Sequence, residues 1–452
     1  MTERKNTAVD RALFKLNGKP SWPSAIPQAL QHILAMLVGN ITPPILLAAN
    51  MNLPEEEKIL LMQAAMLIGG ITTLLQLFPV LGFGMGLPSV MGVAFAYMPI
   101  LLTIGVNYGM PTLLGAQLVG GLSSIFVGMA IGKIRRFFPP IVSGTVVLSI
   151  GLSLYGTAIN YMAGGQAGAP EFGVGKFWLI ALIVLIVTLA CNLFGKRYLK
   201  VSGMLVGIGV GYVISLLWGN MINFSSIATT PWVALPKFFY WGIKFELFPC
   251  VLMVLMYIVQ AVQTIGDVSC TAMGGFGREA TDKELGGAIK GQGICGMLGA
   301  CIGGLPTDPY SQNVGLIVTT KVVAKRVFMI VGGVMILAGL LPKFGAIMTT
   351  IPYPVLGGAT ITVFAAITMS GIELITEQEM NYRNKLIVGI SLALGVGLTA
   401  VSASLQHLPE MIQKVIGSSP ILVSFVMAFV LNIVTPEGEK EEEGEATEGE
   451  EA

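Results

Sequence analysis

Two adjacent amides, Gln312 and Asn313, stand near the end of a polar stretch, residues 304–315, that glycine and proline break and apolar sequence flanks. An amide side chain donates and accepts hydrogen bonds, so it can match a ligand edge that presents both kinds of group. Backbone that leaves a helix at membrane depth must be satisfied by protein, water or a ligand, and such breaks therefore line binding cavities. The stretch is typical of a transporter's binding site, and Asp308 within it is expected to cap the short helix that follows.

Upstream, Gln263 and Asp267 stand four residues apart, on one face of a predicted helix. A carboxyl group within a span costs about 2.5–3.5 kcal/mol to insert, which makes Asp267 a functional candidate. Three roles stay open for it: it carries a proton, it holds Na⁺ with backbone carbonyls, or it only orients two spans as a buried pair or cap. His32 is a candidate partner of Asp267 and the other candidate titrating group, while a lone histidine in a helix is more often structural.

These residues must be positioned by membrane-spanning elements. The chain is 54% hydrophobic and 11% charged, with a mean hydropathy of +0.77, whereas soluble proteins are about 25% charged. Apolar runs of roughly 17–25 residues give fourteen candidate spans, of which the third and tenth are too short and broken to be continuous helices. The spans are predicted to start near Ile26, Lys58, Leu87, Thr112, Pro140, Phe177, Val201, Phe248, Gly286, Asp308, Val327, Pro352, Lys385 and Pro420.

Basic residues fall in every second loop of this count, which by the positive-inside rule predicts that both termini are cytoplasmic. Residues 1–23 are expected to be a retained cytoplasmic N-terminus rather than a signal peptide. Residues 436–452, which include nine glutamates, are expected to form a disordered acidic tail.

An internal repeat divides the chain. Gly-Leu-Pro-Ser at 86–89 recurs as Gly-Leu-Pro-Thr at 304–307, an offset of 218 residues, and the segment 140–144 recurs at 354–358, an offset of 214. Two matches at nearly one offset indicate a duplication. Seven spans in each half would insert the second half upside down, which predicts a midplane site where the broken third and tenth spans meet.

Residues 312–321, Gln-Asn-Val-Gly-Leu-Ile-Val-Thr-Thr-Lys, match the signature of the nucleobase-ascorbate transporter family at every fixed position. Gln31-His32, the segment 92–96 and the run Thr264–Asp267 support the likeness, which extends from about residue 24 to 435. The chain therefore resembles the xanthine and uracil permeases of that family.

The resemblance implies an all-α polytopic fold of fourteen transmembrane segments in two inverted seven-span repeats, with short strands in broken spans 3 and 10. It also implies a core domain, residues 24–137 and 245–342, and a gate domain, residues 138–222 and 343–435. A homodimer through gate-domain helices is expected. Neither catalytic residues, nor a resident cofactor or metal, nor a nucleic acid partner is expected.

The implied function is a permease of the cell membrane for a nucleobase, by ion-coupled symport, with H⁺ or Na⁺ as the coupling ion. Gln at position 312 resembles the purine-type members, which favours xanthine or urate. A uracil permease, an uncoupled facilitator and, more distantly, a sulfate-transporter-like anion exchanger are the alternatives. The implied substrate-binding residues are Gln263, Gln312, Asn313, Ser311, Phe95 and Ala94.

Two positions depart from the family pattern. Family members usually carry a glutamate where this chain has Gln263, and an acidic residue where it has Gln292. An amide cannot change its charge, so proton coupling through these positions is not expected. Asp267, His32 and Gln292 are left as the residues that couple the ion or organise the site.

Other functional classes fit poorly. The chain has five cysteines without ligand-like spacing and two histidines without a convergent catalytic motif, which argues against a membrane-embedded enzyme.

Overall fold

The computed structural model describes residues 11–134, 139–165, 170–196, 198–218, 221–222, 224–408, 413, 416–417 and 419–435. The predicted acidic tail, 436–452, and the first ten residues lie outside the described residues.

Helices dominate because a chain in lipid must satisfy its backbone polar groups within each segment. The elements, in chain order, are α1 Trp22–Asn50, α2 Glu55–Leu77, β1 Met91–Val93, a 3₁₀ turn Phe95–Tyr97, α3 Met98–Tyr108, α4 Met110–Met129, α5 Ile131–Ile134, α6 Pro140–Met162, α7 Gly175–Phe194, α8 Tyr198–Val201, α9 Gly203–Leu217, α10 Ser225–Thr229, α11 Leu247–Phe276, α12 Asp282–Ile302, β2 Thr307–Pro309, α13 Ser311–Thr320, α14 Lys325–Gly339, α15 Pro342–Thr349, α16 Tyr353–Thr376, α17 Tyr382–Ala400, a 3₁₀ turn Ser402–Leu405, and α18 Pro420–Val434.

Within the described ranges, nine helices are long and apolar enough to cross a membrane, or ten if α14 and α15, bent by 80° at their junction, count as one span. The other predicted spans correspond to shorter apolar segments, among them α9 and α18 with 15 residues each. At 1.5 Å per residue such helices are shorter than the roughly 30 Å hydrocarbon core. The structure therefore establishes a mostly helical, multi-pass membrane protein, and the count of fourteen stays a prediction.

The two predicted short strands are present and pair with each other. β1 and β2 run antiparallel, with Gly92 opposite Asp308, and all their residues are buried. The Ala94 N–H donates to the Pro306 carbonyl at 3.1 Å and extends the pairing by one bond. Each strand leads into a short helix, β1 through the 3₁₀ turn into α3 and β2 into α13.

Side chains from the long helices satisfy the outer edge of β1. The Asn40 side-chain oxygen accepts from the Val93 N–H at 2.7 Å, and the Thr73 hydroxyl accepts from the Met91 N–H at 2.9 Å. The Tyr310 hydroxyl donates to the Val93 carbonyl at 3.0 Å. A two-stranded sheet can lie inside the protein at this depth because these polar groups replace the missing third strand.

The helices pack in two groups. In the first, α4 packs against α11 and α12, and α2 packs against α1 and α14. In the second, α16 packs against α6 and α7, while α17 and α18 pack against each other and against α6. The two strands lie in the first group, where β1 contacts α1 and α2.

Glycines on α2 allow it to fit between β1 and α14. A Cβ atom at Gly70 would lie 2.7 Å from the Gly332 carbonyl oxygen and 2.9 Å from the Ile336 nitrogen. Both are backbone atoms, which cannot move aside as a flexible side chain can. At Gly333, one residue along α14, a Cβ would meet no atom within 4 Å.

We expect Gly70→Ala to separate α2 from α14 and to destabilise the protein by about 1–3 kcal/mol, the usual cost of overpacking. Gly333→Ala is the matched control and should leave stability unchanged or raise it by up to about 1 kcal/mol, because alanine favours the helix. The measurement is the apparent melting temperature of the detergent-solubilised protein. Equal melting temperatures for the two variants would contradict the close packing described here.

Candidate functional site

A cavity of 80 Å³ lies where the two strands lead into their short helices. Its lining includes five residues that the sequence predicts for the site, Ala94, Phe95, Gln263, Ser311 and Gln312. Ala94 and Phe95 follow β1, Ser311 and Gln312 open α13, and Gln263 reaches the cavity from α11. The broken segments therefore bring together residues that are more than 200 positions apart in the chain.

The opposite wall comes from the second group of helices. Val363 and Ile367 of α16 line the cavity there, together with Met204 of α9. Phe95 lines the cavity next to Ala94, and its ring packs edge-on against Phe364 of α16, with centroids 5.4 Å apart. The cavity thus has polar groups on one side and apolar side chains on the other.

Gln263 and Gln312 are the two amide side chains that line the cavity. Among the described residues neither amide has a hydrogen-bond partner, and Gln312 is exposed. The first backbone N–H groups of α13 have no acceptor within the helix, so they and the positive end of its dipole favour an electron-rich group at this end. Such an arrangement can bind a flat polar molecule that carries both donors and acceptors.

Asp267 is hydrogen-bonded to Ser311, which lines the cavity. One of its carboxylate oxygens accepts from the Ser311 hydroxyl at 2.8 Å, and the other is buried without a partner among the described residues. Asp267 therefore fixes the start of α13 beside Gln312. Ser311, not His32, is its partner, so the predicted Asp267–His32 pair is wrong.

The structure turns Asn313 away from the cavity. Its side chain is fully buried, donates to the His32 carbonyl at 3.0 Å and lies 3.0 Å from the His32 Nδ1. The His32 ring packs against Phe328 of α14, with centroids 4.8 Å apart. Asn313 and His32 thus tie α13 to α1, and neither lines the cavity. In a helix, consecutive residues point about 100° apart, which fits the different surroundings of Gln312 and Asn313.

The sequence predicted that Asp308 caps α13, and this prediction is wrong. It lies in β2, and the N-cap of α13 is Tyr310, which makes no side-chain capping bond. The Asp308 carboxylate accepts instead from the side chains of Gln260, Thr264 and Gln292, and the residue also lines the cavity.

Sequence reasoning missed Gln260, although a signal was present. Gln260, Thr264 and Asp267 are spaced i, i+4 and i+7, which places them along one face of α11. A polar stripe at this spacing within an apolar helix marks the side that faces other protein groups. Gln292, expected to couple the ion or organise the site, donates to Asp308 at 2.7 Å.

The site is accessible unequally from its two sides. The small cavity shares Ala35, Met204, Gln312 and Val363 with a cavity of 1090 Å³ on the side where α1 begins. Near the other end of α1, the Asn50 side chain donates to the Tyr161 hydroxyl at 2.8 Å, and Tyr161 stacks on Tyr353 with centroids 5.2 Å apart.

Comparison with known proteins shows the family to which the chain belongs. A model described as a permease family, Xan_ur_permease, matches residues 23–404. The chain is a member of the xanthine/uracil permease family. That family consists of transporters, not enzymes, so the predicted membership and the predicted absence of an enzymatic role are both confirmed.

Curated relatives align along nearly the whole chain. The uric acid permease PucK of Bacillus subtilis is 34% identical over 405 residues, which cover 89% of this chain and 93% of that protein. The xanthine permease XanQ of Escherichia coli K12 is 31% identical over 451 residues, covering 97% and 96%.

Among solved structures, the transmembrane domain of the bicarbonate transporter BicA from a cyanobacterium superimposes with a TM-score of 0.57 at 14% identity, covering 90% of this permease and 97% of that chain. At such low identity the likeness concerns the fold alone.

The opposite orientations of Gln312 and Asn313 can be tested with cysteine reagents. In a background with the five native cysteines replaced by alanine, Gln312→Cys should react with a small water-soluble thiosulfonate, because its side chain reaches the cavity. Asn313→Cys should react more slowly, on the order of tenfold or more, because its side chain is buried against α1. The measurement is the rate of labelling in membranes, and equal rates would contradict the orientation described here.

Proposed function

We propose that this permease carries a purine such as xanthine or urate across the cell membrane by ion-coupled symport with alternating access. The observation that carries the proposal is the pair of unpartnered amides, Gln263 and Gln312, in one cavity at the start of α13. The names of the relatives, uric acid and xanthine permeases, agree with it.

The chemistry of the cavity suits a nucleobase. A purine is flat and alternates donors and acceptors along its edge, which two amides can match by choosing their orientation. The backbone N–H groups of Ser311 and Gln312 add donors to the same side. The apolar wall formed by Val363 and Ile367 would cover the ring face.

Alternating access is supported by the position of the cavity between the two helix groups. We assign α1 to α5 and α11 to α15 to a core domain, and α6 to α9 and α16 to α18 to a gate domain, in line with the predicted boundaries. The core supplies the polar wall and the gate supplies the apolar wall, so a movement of one past the other would leave the polar contacts with the substrate intact.

The predicted topology is part of the proposal. β1 followed by α3 and β2 followed by α13 are corresponding pairs in the two halves, which supports fourteen segments in inverted repeats. With cytoplasmic termini, the 1090 Å³ cavity lies on the cytoplasmic side and the structure faces inward. A homodimer through gate-domain helices belongs to the same proposal.

Ion coupling is supported by charge. Asp267 and Asp308 lie on the core side of the site, and within the described residues neither forms an ion pair with Lys, Arg or His. Carboxylates at membrane depth need a compensating cation, which H⁺ or Na⁺ would supply.

The proposed function is tested by uptake of labelled xanthine, urate, guanine and uracil into proteoliposomes, with a proton gradient, a Na⁺ gradient or neither. We expect accumulation of a purine above equilibrium under one ion gradient. Equilibration alone would make the protein a facilitator, and preferential uptake of uracil would overturn the purine assignment. Movement of chloride or sulfate without any base would favour the anion exchanger.

The neutral amide at position 263 leads to a prediction about charge. Gln263→Glu would place a negative charge in the cavity and should weaken uptake of urate, an anion at neutral pH, relative to neutral purines, by roughly 1–3 kcal/mol or about 5- to 150-fold. The measurement is the ratio of kcat/KM for urate to that for guanine.

Gln406→Glu is the matched control for this prediction. It makes the same change at an exposed position and should leave the ratio unchanged. A Gln263→Glu variant that prefers urate as much as the parent does would refute the charge argument.

A further inference from the structure

The carboxylate of Asp308 lies in a polar cluster behind the cavity, which we call the Asp308 cluster and define as Gln260, Thr264, Gln292 and Asp308. The Gln292 amide donates to Asp308 Oδ1 at 2.7 Å, the Thr264 hydroxyl donates to the same oxygen at 3.1 Å, and the Gln260 amide donates to Oδ2. The exposed fraction of every member is 3% or less. Three donors from two helices thus converge on one buried carboxylate.

Among the described residues, no base balances this carboxylate. The titratable groups that face it are Asp267 on α11, Tyr97 in the 3₁₀ turn and Tyr310 before α13, all acids. In the part of the chain that the structure describes, no Lys, Arg or His contacts Asp308. An ionised Asp308 therefore carries an uncompensated charge at membrane depth, and each conformational crossing with that charge would be costly.

Gln260 can serve both charge states of Asp308. Its Nε2 donates to the carboxylate, while its Oε1 is buried without a partner among the described residues. A rotation of the amide by 180° exchanges the two atoms. The carboxylate can then be met by a donor, and the protonated acid by an acceptor, with no other group moving.

Asp308 is also better placed than Asp267 to sense the substrate. It lines the cavity together with Gln263 and Gln312, whereas Asp267 does not line it. It lies on β2, three residues before Ser311, so any change in its charge acts directly on the purine in the cavity.

We propose that Asp308 is the group that carries the coupling proton, and that Gln260 turns its amide as the proton is loaded and released. This proposal rests on the proposed symport, and it names H⁺ as the coupling ion and Asp308 as the residue that binds it. On the loading side a proton from water adds to Oδ2, and Gln260 presents its oxygen to the new O–H. Removal of the negative charge strengthens binding of an electron-rich purine, and the bound purine in turn stabilises the protonated acid. After the site opens to the other side, the proton returns to water and Gln260 donates again.

The first test is Asp308→Asn, which mimics the protonated acid in size and neutrality. Purified parent and variant are reconstituted in proteoliposomes, and two quantities are measured with the purine that the parent transports best. One is accumulation under an imposed proton gradient; the other is exchange of labelled internal purine for unlabelled external purine. The variant should lose accumulation, retain exchange, and show exchange rates that do not change with pH.

Two companion variants separate this role from others. Asp282→Asn makes the same change at an exposed position at the start of α12 and should accumulate purine as the parent does. Asp267→Asn keeps an oxygen for Ser311 and should still accumulate purine in response to the proton gradient, with an altered KM.

A second measurement covers the case in which Asp308→Asn does not fold. Gln260→Met removes both the donor to the carboxylate and the acceptor for the acid but leaves Asp308 in place. The bond to the charged form is the stronger of the two, so the proton should be held more tightly. The pH at which uptake falls to half should rise by about 1 unit, the difference between a hydrogen bond to a charged group and one to a neutral group. A structural role for Gln260 would lower the amount of folded protein without moving this pH.

The outcomes distinguish the inference from the function it rests on. Proton-driven accumulation by Asp308→Asn, or an unmoved pH profile in Gln260→Met, would overturn the assignment of Asp308 while leaving symport intact. Accumulation by the parent under a Na⁺ gradient alone would show that the coupling ion is not H⁺. Equilibration without accumulation would overturn the proposed symport as well. Loss of proton-driven accumulation in Asp267→Asn, with its retention in Asp308→Asn, would assign the proton to Asp267 instead.

Discussion

Backbone polar groups cannot stay unpaired inside a membrane protein, and the β1–β2 sheet depends on how this constraint is met. Two strands of three residues leave an edge open, and side chains of Asn40 and Thr73 close it. These residues come from α1 and α2, so the strands are fixed to long helices rather than to each other alone. The short helices start where the strands end, and the cavity residues are positioned by those starts. Loss of the side-chain partners would release the site as a whole.

The sequence predicted the elements better than the contacts between them. Runs of apolar residues have lengths set by the bilayer, so helix starts such as Pro140 and Pro420 were predicted at the residue where they occur. Glycine and proline also marked both strands.

Asp308 was misassigned because an acid before a helix is a good cap locally, whereas strand pairing turned its side chain toward α11 and α12. The Asn313–His32 contact joins residues 281 positions apart and leaves no local signal. Gln260 could have been found from the polar stripe on α11.

The two walls of the cavity differ in a way that suits motion. Hydrogen bonds are directional and costly to break without replacement, and the described ones around the site, such as Ser311 to Asp267, lie within the first helix group. Across the boundary the contacts are largely apolar, for instance the edge of Phe95 against Phe364. Apolar contacts tolerate sliding because they have no preferred direction. Such a boundary suits the proposed alternating access, in which one group would move past the other while the site keeps its shape.

The cavities on the two sides of the protein have an electrical consequence. Water in a cavity of 1090 Å³ on one side conducts ions and so stays near the potential of the solution it joins. On the opposite side, cavities of 670 Å³ and 270 Å³ reach Tyr353, so most of the membrane voltage falls across the protein between these cavities and the large one. Each elementary charge that crosses this part of the protein exchanges about 2.3 kcal/mol with a potential of 100 mV. The protein packed between the cavities thus sets where in a transport cycle the electrical work would be done.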